Sequence, residues 1–192
     1  VLKPAEQTPL SAIKLGELIL EAGIPEGVVN ILTGFGSVAG AALAAHPGVD
    51  KVAFTGSTAT GKKIVQAALG NLKKVTLELG GKSPVFVFPD ADVDAAIKGA
   101  ASAIFLNSGQ VCSAGSRLYA HKDVFDEVVE GVARIGDEMK IGHGLDADTQ
   151  LGPLISQQQF ARVNGFIEGG HNQGARTAGN GRQPHLEGYF VP

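Results

Sequence analysis

Apolar residues recur at two spacings along the chain, every second position in short runs and every third or fourth in longer ones, and the two patterns take turns. Val1 and Leu2 read as the end of a strand, and Lys3 to Pro9 as the connection into a helix over Pro9 to Ala22. Thr8 fits the N-cap, Pro9 the first turn, and Ile13, Leu15, Leu18, Ile19 and Ala22 one apolar face; Gly23 stops the helix. A strand over Val28–Leu32 leads into the glycine-bearing run Gly34–Gly40 and an alanine-rich helix to about Ala45. The strand Lys51–Thr55, the turn Gly56–Gly61 and a helix to about Leu69 follow, then a strand over Val75–Leu79 that meets Gly80 and Gly81. Beyond it lie a strand over Ser83–Pro89, an Asp90–Asp94 cap, a helix over Val93–Leu106 and a strand over Arg117–Ala120. A helix over Lys122–Met139 presents Val124, Phe125, Val128, Val132 and Ile135 to the core. A loop over Lys140–Gly152, a helix over Ser156–Gly169 and a loop or hairpin over Asn172–Gly188 complete the reading. Strands alternating with helices predict an α/β fold.

Composition narrows the function classes. The 192 residues are 44% hydrophobic and 18% charged, ordinary for a globular protein, and 27 glycines gather at element ends. A formal charge of −3 offers no basic field for nucleic acid or anionic lipid, and no apolar run reaches membrane-spanning length. The single cysteine excludes an internal disulfide and suits a reducing compartment. His46, His121, His143, His171 and His185 lack metal-ligand spacing, so no metal site is expected. Val1 and the closing run Gly188–Pro192 read as cut strand ends, which makes the chain an internal stretch of a longer protein.

Five places carry candidate chemistry. Glu78 ends a strand where the backbone turns sharply, a place packing explains poorly. Cys112 lies among Ser108, Gly109, Ser113, Ala114 and Gly115, small residues that let a substrate approach the sulfur; a buried small hydrophobe is the alternative. Strand, glycine turn and helix start at Gly56 and Ser57 make an anion site, because unsatisfied N–H groups and the helix dipole both favour phosphate. The same string nearly fits a P-loop, with Gly56, Gly61 and Lys62 in place, but position 63 is lysine where magnesium needs a hydroxyl. Gly34, Gly36 and Gly40 resemble a dinucleotide fingerprint whose last glycine comes one residue late and whose following strand, Lys51 to Phe54, closes without an acid; tight packing explains Gly36 and Gly40 equally well. Lys3 and Glu6 flank a strand-to-helix passage that is either a solvated turn or a ligand site.

The segments Phe54–Thr58 (FTGST), Glu78–Pro84 (ELGGKSP) and Gly109–Cys112 (GQVC) are similar to the signature segments of the NAD(P)-dependent aldehyde dehydrogenases, in the same order and with the same offset from Glu78 to Cys112. With Lys3–Pro9 included, the resemblance spans nearly the whole chain. It implies a parallel, Rossmann-like sheet with flanking helices, joined to part of a second α/β catalytic domain: residues 1–81 as the C-terminal part of the NAD-binding domain, 82–192 as the N-terminal part of the thiol-bearing one. It implies Cys112 as nucleophile and Glu78 as the base that activates water. Lys3 and Glu6 would contact the adenosine ribose, Gly56 and Ser57 the pyrophosphate, with Gly34, Leu79 and Gly80 completing the cofactor set. An acid at Glu6 favours NAD over NADP. A thiolate that attacks an aldehyde and gives up hydride becomes a thioester, and its hydrolysis releases a carboxylic acid. The Cys112 N–H is one donor for the oxyanion; the family's second, an asparagine, lies upstream of Val1. Glutamate at position 78 sets the chain apart from relatives that pass the acyl group to coenzyme A, and the run Ile104–Ser116 is similar to dehydrogenases of aromatic or arylacetic aldehydes such as phenylacetaldehyde. The expected partners are a small aldehyde and, in the full-length protein, further copies in a homodimer or homotetramer; the expected location is cytoplasmic. The competing readings are a P-loop nucleotide-binding protein and a relative that binds NAD without turning it over.

Overall fold

The computed structural model describes residues 1–181 and 186–191, so His185 and part of the expected Asn172–Gly188 loop lie outside the described residues. The chain divides into two compact units, Val1–Gly80 and Gly81–Pro192. Both are α/β with parallel strand pairs.

In the first unit α1 spans Leu10–Glu21. Pro9 already has helical angles, φ −81° and ψ −22°, and no side-chain hydrogen bond caps this end, so the expected Thr8 cap is not formed. At the other end Gly23 adopts φ +82°, and the Ile24 N–H reaches back to the Ile19 carbonyl at 3.2 Å. The strand expected over Val28–Leu32 shrinks to one parallel bridge, Leu2 with Ile31. The Leu2 N–H donates to Asn30 O (2.8 Å) and the Leu32 N–H to Leu2 O (2.9 Å). The next rung would need an N–H from Pro4, which has none.

Residues Gly36–Gly40 form one π-helical turn that runs into the short α2, Ala41–Ala45. Lys73, 8% exposed, closes the end of α2: its Nζ donates to Ala44 O (2.8 Å) and His46 O (2.7 Å). β1 (Lys51–Gly56) and β2 (Lys74–Leu79) pair in parallel from Lys51 with Lys74 to Gly56 with Leu79, and α3 (Thr58–Ala68) crosses between them. Gly61 is what lets α3 lie close, since a Cβ there would stand 2.9 Å from Leu79 Cδ2.

The second unit repeats the motif. β3 (Pro84–Val87) and β4 (Arg117–Ala120) pair in parallel, and α4 (Val93–Phe105) crosses between them. Asp92 caps α4 by accepting from the Ala95 N–H at 3.0 Å. α5 (Phe125–Glu138) covers α4, and Val87, Ile97, Val124 and Val128 form the core with Val85, Leu118 and Ile135 packed against it. Gly131 allows the approach, because a Cβ there would meet Ile97 Cδ1 at 2.5 Å. Helical spacing puts Val124, Val128, Val132 and Ile135 on one face and turns Phe125 out, 49% exposed, contrary to its expected place in the core. The helix also starts later than Lys122, because the Val124 N–H closes a turn on His121 O. α6 spans Gln157–Asn172, capped by Ser156. No helix among the described residues is long and apolar enough to cross a membrane.

Candidate functional site

In the first unit the structure brings Lys3, Glu6 and Gly34 together. Lys3 Nζ donates to Pro4 O (2.6 Å) and Gly34 O (2.9 Å), which leaves its ammonium 3.9 Å from the Glu6 carboxylate. Gly34 sits at φ +146°, a conformation that favours glycine. Glu6 Oε1 accepts the Gly36 N–H at the start of the π-turn. That bond, then the Glu6 backbone N–H and finally Lys3, hold the carboxyl below its ordinary pKa, so it is ionised at neutral pH. A cavity of about 220 Å³ opens beside it, lined by Pro4, Glu6, Pro9, Thr33, Gly34 and Phe35. A carboxylate from the loop before α1 is thus seated on the glycine motif's own second glycine.

Gly56 ends β1 and Ser57 is the N-cap of α3, accepting from the Thr60 N–H (3.2 Å) and donating to Thr60 Oγ1 (2.9 Å). Among the described residues the Thr58 and Ala59 N–H groups have no hydrogen-bond partner, which leaves the end of α3 with two open donors. The P-loop alternative fails here. A P-loop needs an open loop between its two glycines, whereas the helix begins at Thr58 and Gly61 is packed inside it against Leu79. Glu78 pairs in register with Thr55 and lies exposed on the face of β2 opposite Leu77 and Leu79, the two residues that meet α3. Leu79 thus serves packing. A Cβ on Gly80 would meet nothing within 4 Å, so packing does not require glycine there.

Cys112, in the second unit, is exposed and free. It follows a tight turn over Leu106–Gly109 in which Asn107, Ser108 and Gly109 stand at φ +52°, +55° and +73°. Side chains pin the turn: Ser108 Oγ donates to Gly152 O (2.8 Å), and Gln110 Oε1 accepts from the Ile155 N–H (2.9 Å). After the cysteine, the Gly115 N–H bonds Ala103 O (2.9 Å), and a Cβ on Gly115 would stand 2.6 Å from Val85. Gly81 passes so near Cys112 that a Cβ would lie 3.0 Å from its carbonyl oxygen. Among the described residues the Cys112 N–H has no partner, which leaves a donor beside the sulfur. The reading of Ser108 as mere space for a substrate missed its bond to Gly152, and Gln110 was read only as a letter of the cysteine motif.

The sequence model of the aldehyde dehydrogenase family matches residues 1–192, every position of the chain. The chain belongs to the aldehyde dehydrogenase family. Among aldehyde dehydrogenases it is 51% identical over 192 residues to the mitochondrial enzyme of Leishmania tarentolae, covering 100% of this chain and 39% of that one. It is 49% identical to phenylacetaldehyde dehydrogenase of Pseudomonas fluorescens, again over all of this chain and 38% of the relative. The NAD⁺ complex of an aldehyde dehydrogenase from Bacillus cereus superposes with a TM-score of 0.95 at 49% identity, covering 100% of this chain and 39% of that one. The chain therefore spans about two-fifths of the length of the family members it matches.

Proposed function

We propose that the protein oxidises an aldehyde to a carboxylic acid, with hydride passing to NAD, and that these residues supply the thiol nucleophile, the base and much of the cofactor seat. The observation that carries the proposal is an exposed, free Cys112 with an open N–H at the end of a pinned turn, in a chain of this family.

The thiolate of Cys112 attacks the aldehyde carbon, forming a C–S bond and a negative oxygen that accepts a hydrogen bond from the Cys112 N–H. NAD, when bound, supplies the acceptor for the hydride that leaves this carbon. Glu78 takes a proton from water, the resulting hydroxide attacks the thioester on Cys112, and the carboxylic acid leaves as the sulfur recovers its electron pair. One aldehyde, one NAD and one water give one acid, one NADH and one proton.

The chain's residues fit the cofactor. The ionised Glu6 carboxylate, anchored by one oxygen on Gly36, has its other oxygen available to a ribose hydroxyl and repels a 2′-phosphate, which favours NAD over NADP. Gly34, with Lys3 on its carbonyl, shapes the groove, while the open N–H groups after Gly56 and Ser57 suit a pyrophosphate. Leu79 and Gly80 close the end of β2 beside Glu78. In this reading 1–81 belongs to the cofactor domain and 82–192 to the catalytic one, the full-length protein forms a homodimer or homotetramer, and the free thiol works in a reducing compartment, the cytoplasm. An arylacetic aldehyde heads the substrates to try, given the phenylacetaldehyde dehydrogenase relative.

The deciding experiment follows NADH formation by the full-length protein with NAD or NADP and a panel of aliphatic and aromatic aldehydes, with Cys112→Ala in parallel. NAD-dependent turnover that vanishes in the variant supports the proposal. NAD binding without turnover on any aldehyde moves the weight to a non-catalytic or coenzyme A-dependent relative.

A further inference from the structure

Cys112 is reached through backbone that L side chains avoid. Asn107 and Ser108 are left-handed in succession ahead of Gly109, and such a run persists only where its surroundings impose it. Within the turn Asn107 Nδ2 donates to Gln110 O at 3.3 Å, and two side chains tie it to a remote segment. Ser108 Oγ donates to Gly152 O at 2.8 Å. Gln110 reaches 45 residues along the chain to accept from the Ile155 N–H at 2.9 Å, while its Nε2 faces the carbonyls of Asn107 (3.3 Å) and Pro153 (3.5 Å).

The segment they grip is itself fixed. The Leu151 N–H bonds Lys140 O at 3.0 Å, Leu154 is buried with its N–H on Tyr189 O at 2.9 Å, and Ser156 caps α6 directly after Ile155. One donor, the Ile155 N–H, and two carbonyl acceptors face position 110. A primary amide of this length matches that set; a carboxylate or a thioether does not. Cys112 comes two residues later and its own N–H makes no bond among the described residues; a turn closed by the Ala114 N–H on Val111 O (3.1 Å) carries it, held by Gln110 before the turn and the Gly115 N–H behind.

We infer that Gln110, assisted by Ser108, is the positioning residue for the Cys112 thiol: it clasps the strained turn to the start of α6 and so sets the angle at which the sulfur meets the aldehyde. The inference rests on the proposed role of Cys112 as nucleophile.

The test uses the full-length protein with Gln110→Met, which removes both halves of the clasp, and Gln110→Glu, which keeps the size and one acceptor but sets a carboxylate against two carbonyls. We expect kcat to fall by about tenfold or more in both, as misplaced reacting groups do, while the Kd for NAD stays within about twofold. Alkylation of Cys112 by iodoacetamide, followed on the peptide that carries it, should shift in rate in the same variants, a change that remote loss of stability would not produce. Ser108→Ala should lower kcat by about threefold; if the Gln110 variants do not accumulate, an unchanged kcat and alkylation rate in Ser108→Ala overturns the inference. Folded Gln110 variants with wild-type kcat and alkylation rate overturn it as well. Cys112→Ala run alongside separates the two claims: full activity without the thiol refutes the nucleophile itself, whereas a dead Cys112→Ala beside an unaffected Gln110→Met refutes the clasp alone.

Discussion

The two β–α–β crossovers of this chain share a topology and put their chemistry at opposite ends of it. In β1–α3–β2 the candidate groups stand where strands finish: Gly56 and Ser57 after β1, Glu78 to Gly80 at the close of β2. In β3–α4–β4 the thiol comes on the return path, between the end of α4 and the start of β4. The first uses what any parallel strand and helix junction offers, free N–H groups and a helix dipole aimed at an anion. The second has no such general device and must build its site from unusual backbone, held by side-chain bonds and backed by a buried core. Binding a long cofactor needs an open groove, and aiming one sulfur atom needs a stiff support.

Substitutions can break that contrast, and the largest effect belongs to the thiol. Cys112→Ala should cost at least roughly a thousandfold in turnover while NAD titrations of the full-length protein remain within about twofold of wild type. Loss of NAD affinity in that variant would mean the second crossover also carries the cofactor. Next in size is the support: Val128→Ala opens a cavity in a fully buried position and should lower stability by about 2 kcal/mol, read as a shift in denaturation midpoint.

Glu6→Gln removes the charge proposed to face the ribose, so discrimination against NADP should weaken by about tenfold in kcat/KM. Its pH behaviour carries a sign. The folded carboxyl is held below its ordinary pKa, chiefly by the Gly36 N–H, so the stabilisation it contributes is complete above the unfolded value and is lost as pH falls through the folded one. Preference for NAD over NADP, measured by competition binding, should persist to lower pH than an unperturbed carboxyl would allow and fade as pH falls through the lowered folded value. Preference already lost near neutrality would show that Glu6 is not the discriminating group. The smallest effect is expected at Ser57→Ala, which removes the α3 cap and should cost about 1 kcal/mol of stability while leaving Cys112 alkylation unchanged.

Much of this was legible in the sequence where neighbours along the chain decide the outcome. The Asp92 cap, the Gly56–Ser57 junction and the alternation of β2 that exposes Glu78 all follow from residues within a few positions. Reading failed where the partner was remote or absent. The ladder at Val28–Leu32 ended early because of Pro4, on the other side of it. The bond from the Gly36 N–H to Glu6, 30 residues ahead of it, is not visible in the glycine spacing, and Gln110 found its partners 43 and 45 residues on. Phe125 misled because apolar character alone does not say where a helix starts, and its first residue fell outside the buried stripe.

The buried ammonium of Lys73 has a consequence of another kind. With its nitrogen enclosed between the carbonyls of Ala44 and His46, it is shielded from amine-reactive reagents that reach the exposed Lys62, Lys63 and Lys74 on the same unit. Its rate of modification therefore counts the moments at which α2 lifts from the start of β2, and makes one lysine a clock for local opening in the unit proposed to hold the cofactor.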